Sequence, residues 1–263
     1  MSGFEAIIYG MVQGLTEYLP VSSSAHLILL PRFLDWKDPG LTFDVILHFG
    51  TLLSTLIYFK KDWVLVWKSL PIHKTPARPE IDWKLLSMGT FPVLVAGVLF
   101  HDYAETIFRG PMVLAWTLSI GGFLLFLVDR FFPQNKNQEH LSSKEAWGVG
   151  LIQCFALIPG VSRSGSTMTG GRMLGLDRET SARFSFLISG PVTAAAVIYE
   201  LKNYQELFHS GVEASHLIIG CFSAFIFGWI AIDSLLKIVK RFGYLSFAIY
   251  RIALGILIWK TLV

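Results

Sequence analysis

Two long apolar regions of this chain, residues 4–34 and 146–175, are each cut near the middle by a proline and a run of hydroxyl residues. Neither half of either region is long enough to cross a hydrocarbon layer, which takes roughly 20 helical residues. In hydrocarbon, each unpaired backbone N–H or C=O costs several kcal/mol, so such a break survives only where protein or a watery cavity supplies partners. Both regions are therefore predicted to be re-entrant helical hairpins with polar tips covered by the rest of the fold.

Six further stretches, about 41–60, 84–101, 111–129, 184–200, 215–236 and 246–262, have the length and apolarity of crossing helices. A hydrophobic share of 53% and a mean hydropathy of +0.54 also point to lipid as the solvent, with residues 1–263 forming one integral membrane domain. The net charge of +3 is confined to a few loops and forms no basic face, so nucleic acid is not an expected partner. Cys154 and Cys221 lie in apolar stretches without CxxC or Cys/His spacing and read as packing residues. The N-terminus has no basic n-region or small-residue cleavage site, so the first apolar stretch is expected to be retained.

Cytoplasmic loops collect Lys and Arg. The connections at 60–84, 130–144, 172–183 and 237–241 hold fifteen of the twenty-two such residues, and the opposite side holds only Arg32, Lys37, Arg109, Lys202 and Lys260. Both termini and the first hairpin are thus predicted to face outward, with the second hairpin entering from the cytoplasm.

Sliding the chain against itself by 140 residues superimposes GMVQGLTEYLPVSSS on GLIQCFALIPGVSRS. Gly10, Gln13, Val21, Ser22 and Ser24 meet Gly150, Gln153, Val161, Ser162 and Ser164, and Gly50 meets Gly190. Each half, about 1–130 and about 140–263, carries one hairpin and three spans. Three crossings invert the second copy relative to the first, which predicts an all-α polytopic membrane protein with six transmembrane helices and two re-entrant hairpins in an inverted-topology repeat.

Gln13 and Glu17 are four residues apart on one helical face, Pro20 ends that helix, and Ser22, Ser23 and Ser24 open the next, with His26 one turn on. An intramembrane carboxylate marks a functional site, although a glutamate at a wet hairpin tip is the ordinary alternative. In the second hairpin, PGVSRSGST places Ser162, Arg163, Ser164 and Thr167 at a helix start. Free backbone donors, the positive end of the helix dipole and an arginine fork suit a phosphate. Snorkelling of Arg163 to the interface is the ordinary alternative. One basic helix start opposite another that carries a carboxylate and a histidine favours a ligand both phosphorylated and metal-bound.

QGLTEYLPVSSSAH and PGVSRSGST resemble the two signature motifs of the bacterial undecaprenyl-diphosphate phosphatase family, the bacitracin-resistance type. The likeness extends over essentially the whole chain, through FDVILHFGTLL and YRIALG. It implies hydrolysis of undecaprenyl diphosphate to the monophosphate with a divalent cation, Mg²⁺ or Ca²⁺. That reaction recycles the lipid carrier for cell-wall synthesis in the bacterial inner membrane. Gln13 and Glu17 fall on the family's (E/Q)xxxE pair and would be the metal ligands. Ser22, Ser23 and His26 fall on its serine and histidine positions, and Ser162, Arg163, Ser164 and Thr167 on its phosphate loop. With Gln13 in place of a glutamate, Glu17 is the only carboxylate of the first motif.

The expected mechanism has Arg163 and the second helix start holding the phosphates, with Ser22 assisting, a cation on Glu17 and His26 as general base. Spacing leaves open whether Ser23 attacks directly or orients water. Polyprenyl diphosphate and membrane lipids are the expected partners, and a homodimer is allowed. A lipid-phosphate flippase is the main rival, since inverted repeats with broken helices are also a transporter design. An anion channel is disfavoured because charge is concentrated at one site. Elsewhere, Arg251 and Asp233 are expected to form a buried ion pair, His48 a packing or interfacial pair with Asp44, and Trp36, Trp63, Trp67 and Trp83 an aromatic belt.

Overall fold

The computed structural model describes residues 1–73, 77, 79–106, 110–200 and 212–263. Arg109 and Lys202, both counted on the outer side, lie outside the described residues. Among the described residues the chain is all helix, with one isolated bridge between Lys136 and Leu176 in place of any strand. The helices are α1 (Gly3–Tyr18), α2 (Ser23–Leu34), α3 (Leu41–Tyr58), α4 (Lys60–Lys68), α5 (Trp83–Thr106), α6 (Pro111–Phe131), α7 (Ser143–Gln153), α8 (Arg163–Met173), α9 (Arg178–Glu200), α10 (Ala214–Phe242) and α11 (Leu245–Leu262).

Five of these, α5, α6, α9, α10 and α11, are long and apolar enough to cross a membrane. The expected span at 41–60 is shorter than predicted. The helix α3 ends at Tyr58, and the chain bends by 73° into α4, so the sixth candidate span is this bent pair. Large apolar side chains face outward from the bundle, among them Val98, Trp116, Phe222 and Trp259. Such a surface is tolerable only in lipid, so this is a multi-pass membrane protein. The helix α9 runs through the interior: 61% of its apolar window is buried, against 22% for α11.

Both predicted breaks are present. The helix α1 stops at Tyr18, and α2 begins after Leu19, Pro20, Val21 and Ser22. The helix α7 gives way to a 3-10 turn at Cys154–Leu157, and α8 begins after Ser162. Ser22 and Ser162, 140 residues apart, are both held at φ +74. That conformation costs a non-glycine residue roughly 1–3 kcal/mol, so the surroundings of each break impose it. The helix starts match as well, with a capping box formed by Ser2 and Glu5 on α1 and another by Ser142 and Glu145 on α7.

Each broken pair packs against a long helix from the other half of the chain, α1 on α10 and α7 on α5. Glycine allows the close approach in both places. A Cβ on Gly10 would fall 2.4 Å from the Gly220 carbonyl oxygen, and one on Gly150 would fall 2.7 Å from that of Met88.

Arg251 and Asp233 do not pair. Asp233 lies on the outer side of α10, where Lys237, one turn on, binds it at 2.6 Å and the Tyr58 hydroxyl donates to it at 3.2 Å. Arg251 points into the bundle, away from that surface, and is 1% exposed.

Candidate active site

The end of α1 and the starts of α2 and α8 meet at one carboxylate. Glu17, on the last turn of α1, is buried, and its Oε1 accepts from Arg163 Nη2 at 2.7 Å. Arg163 opens α8, and its Nη1 donates to the Ser185 carbonyl of α9 at 3.2 Å. The other carboxylate oxygen accepts from the Ser23 hydroxyl at 2.6 Å and from Gln13 Nε2 at 3.1 Å. A further link joins the breaks directly, the Ser164 hydroxyl donating to the Leu19 carbonyl at 3.0 Å. The structure thus brings Gln13, Glu17, Ser23, Arg163 and Ser164 into one cluster.

His26 lies one turn along α2 from Ser22. Its Nδ1 lies 2.7 Å from the Ser22 carbonyl oxygen, which only accepts, so Nδ1 carries the proton and Nε2 is the basic nitrogen. Nε2 is 2.6 Å from the Tyr250 hydroxyl of α11, and the two rings stack at 5° with centroids 5.7 Å apart. Neither Ser23 nor Arg163 is among the described hydrogen-bond partners of His26.

The remaining phosphate-loop residues act on the backbone. Ser162 caps α8 by accepting from Gly165 N at 3.0 Å and lies 3.2 Å from the Ser164 hydroxyl. Ser22 makes the matching 3.2 Å contact with Ser24 but caps nothing. Thr167 is buried one turn into α8, where its hydroxyl donates to the Arg163 carbonyl at 2.9 Å and meets the Ser185 hydroxyl at 2.6 Å. Its contacts therefore fix the start of α8 beneath Arg163.

Three residues at the site were given other roles or none by sequence reasoning. His48 does contact Asp44, through the backbone carbonyl at 2.7 Å, but its Nε2 faces Glu17 Oε2 at 3.7 Å. Ser185 carried no local signal, being 22 residues from the Arg163 that it holds, whereas Tyr250 opens the YRIALG segment that carries the family resemblance. His48 was findable, since it lies in the FDVILHFG segment that also carries the family resemblance.

Among the described residues, no three His, Cys, Asp or Glu side chains gather as a metal centre. The oxygens around Glu17 nevertheless suit a hard cation. Gln13 is fully buried, and its Oε1 has no hydrogen-bond partner, leaving an oxygen donor beside the carboxylate and the Ser23 hydroxyl. Mg²⁺ characteristically takes one or two protein oxygens and completes its shell with water and substrate phosphate.

Comparison with known proteins finds relatives along nearly the whole chain. The family model described as bacitracin resistance protein BacA matches residues 6–257. The chain is 45% identical over 266 residues to an undecaprenyl-diphosphatase of Gemmatimonas aurantiaca, covering 100% of this chain and 98% of that one. It is 43% identical over 258 residues to an undecaprenyl-diphosphatase of Moorella thermoacetica, covering 98% and 97%. It is 41% identical over 256 residues to one of Pelotomaculum thermopropionicum, covering 97% and 95%. With a matching family model and relatives aligned from end to end, this chain belongs to the bacitracin resistance protein BacA family.

Proposed function

We propose that this protein is an undecaprenyl-diphosphate phosphatase. It hydrolyses undecaprenyl diphosphate to undecaprenyl phosphate and inorganic phosphate, which recycles the carrier lipid for cell-wall synthesis and confers bacitracin resistance. The observation that carries this reading is the 2.7 Å contact between Glu17 of one break and Arg163 of the other, with Ser23 on the same carboxylate. An anion-binding group, an acceptor and a hydroxyl nucleophile share one buried point.

In this reading the terminal phosphate displaces Glu17 from Arg163 and is bound by the guanidinium fork and the α8 N-terminus, whose dipole and donors favour an anion. Ser162, Ser164 and Thr167 keep that helix start in place, and the Ser22 carbonyl holds the His26 ring through Nδ1. The Ser23 oxygen attacks the terminal phosphorus, its proton passing to Glu17, which already accepts from it at 2.6 Å. The bond from phosphorus to the bridging oxygen breaks, and undecaprenyl phosphate leaves. Water then attacks the phosphoserine, giving a proton to His26 Nε2, while Glu17 returns its proton to the departing Ser23 oxygen and inorganic phosphate is released. Glu17 and Gln13 would hold a divalent cation, Mg²⁺ or Ca²⁺, whose chemistry is to neutralise charge on the diphosphate oxygens.

The architecture follows the same reading. The recurrence of the +74 φ serines and of the capping boxes at the 140-residue spacing supports two inverted repeats, about 1–130 and 140–263. Each repeat comprises one re-entrant hairpin and three crossings, six in all. The loop charge bias supports residence in the bacterial inner membrane with both termini outside. A flippase would need the anion site but neither Ser23 nor a base.

Purified protein in detergent should release phosphate from a polyprenyl diphosphate, and chelator should abolish that release. Labelled phosphate should be trapped on the wild type and be absent from Ser23→Ala. A wild type without hydrolytic turnover would sink the assignment, and turnover without a trapped label would place water, oriented by Ser23, as the attacking group.

A further inference from the structure

Arg251 is fully buried on α11 and has no carboxylate among its described partners. Its guanidinium is spent on main-chain carbonyls from three segments. On α6, Nε donates to Leu118 and Nη2 to Thr117, both at 3.4 Å. At the first break, Nη1 donates to Pro20 at 3.4 Å. At the second, Nη2 donates to Gly160 at 3.1 Å and to Val161 at 2.8 Å. Breaking a helix frees carbonyls that hydrocarbon cannot satisfy, and a guanidinium offers five N–H donors in a rigid plane. Glycines make room for it: a Cβ on Gly121 would fall 2.1 Å from Nη2, and one on Gly165 would fall 2.4 Å from Nη1.

We propose that Arg251 is a positioning residue that clamps the two helix breaks to each other and to α6. It fixes the placement of Ser23 and Glu17 relative to Arg163 without touching substrate. Its catalytic consequence rests on the phosphatase reading of the site, but the clamp itself does not.

The test uses the full chain in detergent, with kinetics on polyprenyl diphosphate and backbone amide exchange followed by mass spectrometry. Arg251→Ala should lose about 100-fold in kcat with KM changed by less than about threefold, as expected for misplaced catalytic groups. Added guanidinium ion should restore about tenfold or more of that loss, and Arg251→Lys, a point donor, should recover less. Exchange at residues 18–24 and 158–165 should rise together while α9 stays protected. Exchange needs no turnover, so this arm decides the clamp even if the wild type proves inactive on the diphosphate. Should Arg251→Ala fail to fold, Gly121→Ala, which displaces Nη2 at intact charge, should give the same kinetic split and paired rise. A large KM increase with kcat retained would make the guanidinium a substrate ligand and overturn the proposal. So would unchanged exchange at either break.

Discussion

The two breaks share a backbone and divide the chemistry. Ser22 and Ser162 adopt the same unusual φ, Ser24 and Ser164 sit at the same 3.2 Å from them, and Gln13 and Gln153 are both fully buried. The reactive positions differ. Glu17 corresponds to Leu157, Ser23 to Arg163 and His26 to Ser166. In the proposed mechanism the first break holds the acceptor, nucleophile and base, and the second holds the arginine that binds the phosphate. On that proposal, two breaks with the same backbone meet at one point, and different residues at matching positions make one an acid–base centre and the other an anion site. Diphosphate hydrolysis requires both kinds.

The comparison can be broken most severely at the ion pair. Arg163→Ala should lose about 10³-fold or more in kcat, measured as phosphate release, because it removes the charge that faces the transferring phosphoryl group. Exchanging the partners in a Glu17→Arg, Arg163→Glu double variant should regain the thermal stability that Arg163→Glu alone loses. It should stay as inactive as the single variants, since acceptor and cation would then stand on the wrong breaks. A double variant with near wild-type turnover would show the two breaks to be chemically interchangeable.

A smaller effect separates His26 from its counterpart. His26→Ala should cost about 10²-fold in turnover, the usual worth of a positioned general base. Ser166→Ala, which loses only a 2.9 Å bond to the Arg163 carbonyl, should stay within about fivefold, roughly the value of one ordinary hydrogen bond. The glutamines sharpen the contrast. Gln13→Leu should raise the Mg²⁺ concentration for half-maximal turnover about tenfold, whereas Gln153→Leu, which only gives up a bond to the Gly89 carbonyl, should leave it unchanged.

The smallest effect lies at the entry to α7, where Glu145 closes the capping box. Burial alone would raise its carboxyl, but the Lys136 ammonium and Ser142 hold it at about 2, below the ordinary 4.5. A depressed carboxyl contributes stability above its unfolded value and loses it as pH falls toward the folded one. The melting temperature of Glu145→Gln should therefore trail the wild type at pH 7, and the gap should close as the pH falls below about 4.5. A gap independent of pH would assign the effect to packing.

What the sequence made legible was set by short-range rules. Pro20 and Pro159 with their serines predict the breaks, Gln13 and Glu17 fall on one face by helical spacing, and the 140-residue recurrence pairs the hairpins. That Glu17 meets Arg163 follows once the breaks are paired. The illegible contacts depend on how whole helices are rotated in the bundle. His48 reaches Glu17 because α3 lies close on α10, where a Cβ on Gly50 would fall 2.3 Å from the Cys221 carbonyl. The stacking of Tyr250 on His26 and the turn of Arg251 away from Asp233 are likewise consequences of the orientation of α11. The bend after Tyr58 was hidden by an apolar composition that continues through Phe59, whose ring is buried against Phe186.

The crossed packing of α1 on α10 and of α7 on α5 has a consequence for how the protein is made. The carboxylate of Glu17 enters the membrane first, and its arginine partner follows 146 residues later in the chain. At ribosomal speeds that interval is roughly 7 to 30 s. The seat of α1 on α10 is synthesised later still. During that delay the leading hairpin has α3 of its own half to pack against, but its larger seat on α10 is still missing. Neither half is an autonomous folding unit, and truncated products should be cleared by proteolysis instead of accumulating as half-enzymes.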